Sequence, residues 1–232
     1  MSNAVRGYMT GTTSTSIWTQ YSKGVRDYCG HRLPDGLRKG DRLPTPLVTP
    51  TTKAEDHDEL IAPPEIVSRG LMSQAQWDAV SRMALALFTH GQQQAQARGL
   101  LLVDTKYEFG LDPATGECLL IDEIHTPDSS RYWVASTYGE RHAAGQEPEN
   151  IDKEFLRLWF AQRCDPYKDA QLPPAPPELV AELSRRYVLL YETITGEAFK
   201  VPHSGASAQD AMRLDVNSAL GRLRAPGGKL SA

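Results

Sequence analysis

Cysteine is scarce in this chain. Cys29, Cys118 and Cys164 stand far apart and are odd in number, which argues against a disulfide framework and for a reducing compartment. There is no CxxC pair and no HxxxH spacing, so no segment has the ligand pattern of a zinc site. No apolar run approaches the roughly 20 residues that a membrane-spanning helix needs. Positive charge is not in excess: 25 Lys and Arg face 29 Asp and Glu, a net charge of −4. That excludes the basic field expected of a nucleic-acid-binding surface. The N-terminal MSNAVRGYMTG has no apolar core of a secretory leader and is too short and too weakly basic to read as a transit peptide. No glycine-rich loop ends in GK[ST], so a Walker P-loop is absent. What remains is a globular composition, 40% apolar and 23% charged.

Residues 1–70 are punctuated by seven glycines and, from Pro44 to Pro64, by five prolines. Such breakers leave room only for short strands or helices, such as a strand at Val5–Met9 and one or two helical turns at 16–22. Beyond them the periodicity is clearer. Ser73 and Gln76 form a capping-box pair, followed by Trp77, Val80, Met83, Ala84, Leu87 and Phe88 at helical spacing. This predicts a long helix from Ser73 to Arg98, stopped by Gly99. Further helices are predicted at about 151–162, 179–195 and 208–223, with the proline-rich 172–178 as a connector and the 225–232 tail loose.

Between the first two of these helices lie LLLVDTKYEFG (100–110) and LLIDEIHTPDSSRYW (119–133). The turn signal DPATGE joins two strands, about 100–109 and 118–124, into a hairpin. Side chains alternate along a strand, so Asp104, Lys106 and Glu108 share one face and Val103, Thr105, Tyr107 and Phe109 the other. If even-numbered residues pair with even-numbered ones, Glu108 and Asp122 share a face too. Two readings compete. One is a solvated sheet face with weak surface ion pairs. The other is a binding site, because charge within runs as apolar as LLLV is costly unless paired or metal-bound. Two carboxylates on adjacent strands repel; Mg²⁺ removes that repulsion and takes phosphate oxygens as its remaining ligands. Lys106 would suit a phosphate or carboxylate. PDSSR (127–131) reads either as an anion grip, with Arg131 offering paired donors, or as a polar turn with a surface arginine. RGYMTGTTSTS (6–16) can cradle an anion with backbone N–H groups, and TPTTKAEDHDE (49–59) is a polar loop in which Lys53 could touch an anion.

Taken in order, these segments resemble the SAICAR synthetases, the phosphoribosylaminoimidazole-succinocarboxamide synthase family of purine biosynthesis. DTKYEFG resembles the family's D-x-K-x-E-F-G signature, IDEIHTPDSSRYW its D-E-x-x-T/S-P-D-S-S-R-x-W segment, and VRGYMTG its V-R-G-Y-x-T-G-S segment. LPTPLVTPTTKAEDHDE and ENIDKEFLRLWF are similar as well. The likeness runs from Val5 to about residue 200 and is strongest to plant-type members.

The resemblance implies an α+β fold, ATP-grasp-like, with a central antiparallel sheet and flanking helices. Residues 1–200 would be the substrate- and metal-binding region, and 201–232 a C-terminal helix and tail. It implies ATP-dependent ligation of L-aspartate to carboxyaminoimidazole ribotide through an acyl phosphate, giving SAICAR. It assigns Glu108 and Asp122 to Mg²⁺, and Lys106 to the nucleotide and imidazole. Arg6, Thr12, Asp128, Ser130, Arg131, Lys153 and Arg157 would bind substrate, with Lys106 and Arg131 acting in catalysis. Asp104 would support Lys106. Thr12 departs from the family's serine by one methyl. The family's first domain, with a G-K-V-R-D loop over the ATP phosphates, has no counterpart in these residues. A second expectation is therefore a ribotide-binding fragment or subunit that needs that domain supplied separately. The compartment implied is the plastid stroma for a plant-like source and otherwise the cytoplasm.

Overall fold

The computed structural model of the chain describes residues 2–53, 58–151, 153–165, 168–201 and 207–224. The middle of the 49–59 segment, the Lys53 side chain and the 225–232 tail lie outside the described residues. Two compact units result, Met1–Thr195 and Gly196–Ala232.

The first unit is built on an antiparallel sheet in the order β5-β4-β1-β6-β7, with β8 also paired to β6. These strands are β1 (Ser2–Tyr8), β4 (Arg42–Lys53), β5 (Asp58–Leu60), β6 (Leu100–Leu111), β7 (Cys118–Ile121) and β8 (Ser130–Val134). A small separate ribbon joins β2 (Asp27–Tyr28) to β3 (His31–Arg32). The central fact for function is how β6 shares its edges. One edge pairs with β1 over Asp104–Glu108. The other is divided: β8 takes Leu100–Thr105 and β7 takes Glu108–Leu111. The chain between β7 and β8 must cross that edge near Lys106, whose N–H donates to the Ser129 carbonyl at 3.1 Å. A notch opens there on the polar face.

The opposite face is covered by α3 (Gln74–Ala97). Its capping box forms: Ser73 Oγ accepts from Gln76 N–H, and Gln76 Oε1 accepts from Ser73 N–H. Trp77, Val80, Ala84, Phe88 and Ala95 return every three or four residues to one side and are buried against Val5, Leu102, Tyr107 and Phe109. Gly99, at a φ of +74°, ends the helix. Deleting a ring such as that of fully buried Phe88 would cost about 3–5 kcal/mol. A second cluster packs α1 (Ile17–Ser22) over the ribbon through Ile17, Tyr21, Tyr28 and Leu43. A third joins Tyr8 and Trp133 to Tyr138 on α4 (Ala135–Ala143).

The structure corrects several expectations. The proline-rich 42–53 stretch is a twelve-residue strand. Its outer side pairs with β5 only over Thr51–Lys53, so Pro44 and Pro46 sit where most of that edge needs no ladder donor. Residues 130–134 form a strand rather than part of a loop, and α4 follows at once. The helix expected from residue 151 begins at Glu154 as α5 (Glu154–Ala161). Ile151 N–H is already bound to Tyr132 O at 3.1 Å and Asn150 bridges to Trp133, so both extend the sheet. Short α2 (Pro63–Ser68) precedes α3, and α6 (Pro177–Thr195) starts on a proline, which a first helical turn accepts. By itself, the second unit is α7 (Ala208–Arg224), whose start is capped by Ser207 Oγ accepting from Asp210 N–H at 3.1 Å.

Candidate functional site

The notch on β6 opens into a cleft of about 350 Å³. Its floor comes from alternation on two paired strands. Arg6 lies opposite Asp104 and Ala4 opposite Lys106, so these side chains share the face that α3 does not cover. Arg131 joins them because β8 places it opposite Asp104.

Asp104 is 5% exposed, and burying a carboxylate demands partners. Its Oδ2 accepts from Arg131 Nη1 at 2.7 Å and from Arg6 Nη1 at 3.5 Å. Arg6 is fixed further by Nε donating to Thr49 Oγ1 at 3.0 Å and by the Tyr28 ring 5.8 Å away. That ring is buried and its hydroxyl donates to Thr15 O; burial pushes its pKa up to about 12 despite Arg6. Arg131 reaches onward to Glu154 Oε2 at 3.2 Å, and Arg157 meets the same oxygen at 3.4 Å. Glu154, 9% exposed, also accepts from Thr12 Oγ1 at 2.9 Å. Burial alone would raise its carboxyl, but Arg131, the Thr12 hydroxyl and Arg157 together hold it below its ordinary value.

An alternating series results: Arg6, Asp104, Arg131, Glu154, Arg157. Among the described residues, three guanidiniums alternate with two carboxylates along this wall. At the rim Lys153 is ion-paired with Asp128, and the Lys153 bond is the main reason the Asp128 carboxyl lies below its ordinary range. Asp122, Glu123 and Lys106 line the same cleft. A cleft lined by both a guanidinium series and carboxylates suits an anionic ligand on the first and a metal-neutralised phosphate on the second.

The expected residues are distributed as follows. Arg6, Lys106, Asp122, Asp128, Ser130, Arg131, Lys153 and Arg157 all line the cleft. Ser130 faces Thr105, with the two hydroxyl oxygens 2.8 Å apart. Thr12 does not line it; its hydroxyl is engaged with Glu154 behind Arg131. Asp104 is engaged by both arginines, and Lys106 pairs with Glu108 at 2.8 Å. The even-to-even register is also corrected: Glu108 lies opposite Ile121. Continued alternation would send Asp122 to the Tyr107 side. Its φ of +71° takes it out of the ladder, and it lines the cleft instead. Sequence reasoning missed Glu154, whose signal was an acid inside ENIDKEFLRLWF flanked by Lys153 and Arg157.

The donors fit a hard cation in kind. Among the described residues no set of three or more His, Cys, Asp or Glu is gathered to hold a metal. A cation here would therefore take one or two carboxylates and complete its shell from ligand oxygens and water, which is the habit of Mg²⁺. Asp122 lines the cleft; Glu108 does not, and pairs with Lys106, which does.

Among the described residues no helix is long and apolar enough to cross a membrane. Comparison with known proteins gives a consistent result. A phosphoribosylaminoimidazole-succinocarboxamide synthase of Legionella pneumophila (strain Lens) is 58% identical over 94% of this chain and 69% of its own length. The enzyme of Arabidopsis thaliana named chloroplastic is 57% identical over 95% of the chain and 53% of its own length. The SAICAR synthase from Saccharomyces cerevisiae complexed with SAICAR superposes with a TM-score of 0.69 at 32% identity, over 86% of this chain. A type-2 SAICAR synthetase in complex with ADP gives 0.59 at 25% identity, also over 86% of the chain. The chain thus spans 61% of the yeast structure and about half of the Arabidopsis enzyme. With the SAICAR synthetase family also matched over residues 3–174, the chain belongs to that family of ligases.

Proposed function

We propose that this chain forms the substrate-binding part of an ATP-dependent ligase that joins L-aspartate to carboxyaminoimidazole ribotide and yields SAICAR. The observation that carries the reading is the ordered series Arg6, Asp104, Arg131, Glu154 and Arg157 along one wall of the cleft. Two buried carboxylates hold three guanidiniums in fixed orientations, so little reorganisation is needed when an anion arrives. The ribotide carries a phosphate and a carboxylate, and aspartate carries two carboxylates. Arg6 and Arg131 orient these groups from the floor of the cleft, while Lys153 and Arg157 face the ribotide phosphate from α5.

In the proposed reaction a ribotide carboxylate oxygen attacks the γ-phosphorus of ATP and releases ADP. The aspartate amine then attacks the acyl phosphate carbon. Phosphate leaves, the new amide forms and the amine gives up a proton. Lys106 lines the same cleft and exchanges its Glu108 partner for a nucleotide phosphate. Glu108 and Asp122 are the residues proposed to hold Mg²⁺, which when bound neutralises charge on the transferring phosphoryl group. Arg131 stabilises negative charge beside the reacting carboxylate. Such chemistry depends mainly on positioning and electrostatic complementarity.

The test is product formation by the protein that carries these residues, supplied with the ribotide, aspartate, ATP and Mg²⁺. SAICAR, followed by mass spectrometry, should appear only when all three substrates are present. Arg131→Ala should lower its rate by about tenfold or more, since a charge-assisted bond contributes roughly 1.5–3 kcal/mol and 1.4 kcal/mol is tenfold. Product formation that ignores Arg131 would contradict the reading.

A further inference from the structure

The segment 122–129 brings Asp122, Glu123 and Asp128 to the cleft, yet it belongs to no helix or strand. A backbone bond ties its far end to the sheet, where Ser129 O accepts from Lys106 N–H at 3.1 Å. Two of its residues, Asp122 and His125, adopt positive φ values of 71° and 57°, which L-residues keep only where their surroundings enforce it. Toward β8 the enforcement is local. Thr126 Oγ1 accepts from the N–H groups of Asp128 and Ser129 at 3.3 and 3.2 Å, and Ser130 N–H donates to Thr126 O at 3.0 Å.

On the inner side the tie is His125. Its Nε2 lies 2.5 Å from the Tyr107 hydroxyl on β6, and its carbonyl accepts from the Tyr132 hydroxyl on β8 at 2.8 Å. Its ring faces α3 at Gly91, where an added Cβ would come within 2.3 Å of His125 Cε1 and 2.7 Å of Leu102 Cδ2. A glycine in the interior of a 24-residue helix weakens that helix, and at this place it makes room for the imidazole. Burial, then His90, pushes the His125 pKa down to about 4. Near neutral pH the ring is therefore uncharged, and Nε2 and the tyrosine hydroxyl can match as acceptor and donor.

We propose that His125 is a positioning residue: seated between Tyr107, Tyr132 and the gap at Gly91, it holds the segment that brings Asp122, Glu123 and Asp128 to the cleft. The anchoring rests on this geometry alone. Its consequence for ligand binding rests on the proposed function.

Hydrogen exchange and SAICAR titration on the full 232-residue chain test the two parts separately. Tyr107→Phe removes the hydroxyl and keeps the ring, and Gly91→Ala fills the gap. Each should speed exchange of the 123–130 amides by about tenfold or more, while the amides of β1 and β4 change by less than about twofold, the mark of a local opening. His125→Gln, which returns an acceptor near the place of Nε2, should stay close to wild type where His125→Leu does not. Unchanged exchange would overturn the anchoring, and so would a uniform rise across the sheet, which signals general destabilisation only. SAICAR, titrated with and without Mg²⁺, should bind the loosened variants more weakly; binding as tight as wild type would overturn the positioning role. A wild-type chain that fails to bind SAICAR would overturn the proposed function and leave the anchoring to the exchange result.

Discussion

Glu154→Gln isolates the most informative contact in the structure. The replacement keeps the size of the side chain and one acceptor oxygen but removes the charge. Glu154 is nearly buried and accepts from Arg131 at 3.2 Å, Arg157 at 3.4 Å and Thr12 at 2.9 Å. A charge-assisted bond contributes about 1.5–3 kcal/mol against about 0.5–1.5 for a neutral one, so the Arg131 contact should lose about 1–1.5 kcal/mol. The Arg157 contact is longer and that side chain is 38% exposed, so its loss should be about 0.5 kcal/mol. The expected total is about 1.5–2 kcal/mol at pH 7. For a compact unit spanning Met1–Thr195, each kcal/mol shifts Tm by about 2–4 °C, giving about 3–8 °C. The sign of the pH dependence follows from linkage. The fold lowers the Glu154 carboxyl below its ordinary 4.5. Its contribution is present above that value and is lost as pH falls through the lower folded value. Thermal unfolding of wild type and Glu154→Gln should therefore differ fully at pH 7 and converge in acid. A Tm difference under about 1 °C at pH 7 would refute the argument that Arg131 is held through this carboxylate.

Three further outcomes follow from other parts of the molecule. Gly11→Ala should destabilise by about 2 kcal/mol or more, read by urea unfolding, because Gly11 sits at a φ of +109° and an added Cβ would come within 2.4 Å of Ser16 Cβ. Ser73→Ala should lower Tm by about 2–4 °C, the effect of losing about 1 kcal/mol of N-cap stabilisation at the start of α3. His125 is neutral in the fold with a pKa of about 4 against an ordinary 6.5. The unfolded chain therefore takes up its proton first, and stability should fall as pH drops from about 6.5 toward 4. The loss, tempered by the ring's partial exposure, should be about 1–2 kcal/mol, with Tyr107 and His90 the groups acting on the ring. His125→Gln should flatten that limb in urea unfolding followed across the same pH range.

The capping box at Ser73 and Gln76, the apolar repeat of α3 and the DPATGE turn were legible because each is encoded by neighbours within a few residues. The face shared by Asp104, Lys106 and Glu108 was legible because alternation is a local property. Register was not. A hairpin with either parity has the same pattern, and Glu108 meets Ile121 rather than Asp122. The positive φ that brings Asp122 back to the cleft is set by the surrounding segment. Strand β4 was hidden by its prolines, which are tolerated because most of one edge goes unpaired. Asp104 was expected to support Lys106, and Glu154 looked like an ordinary acid. Their roles come from partners at a distance: Arg6 and Arg131 for Asp104, and Arg131 and Thr12 for Glu154. The family signature located the cleft, and the sheet register showed how its arginines are held.

The measurement that bears most directly on the account is calorimetric titration of SAICAR into the purified 232-residue chain, alongside Arg131→Lys. Lysine keeps the charge but not the planar fork that reaches Asp104 and Glu154 at once. One saturable site per chain is expected, weakened about tenfold or more by Arg131→Lys. No saturable heat from the wild-type chain, or equal affinity in the variant, would contradict the proposed binding site.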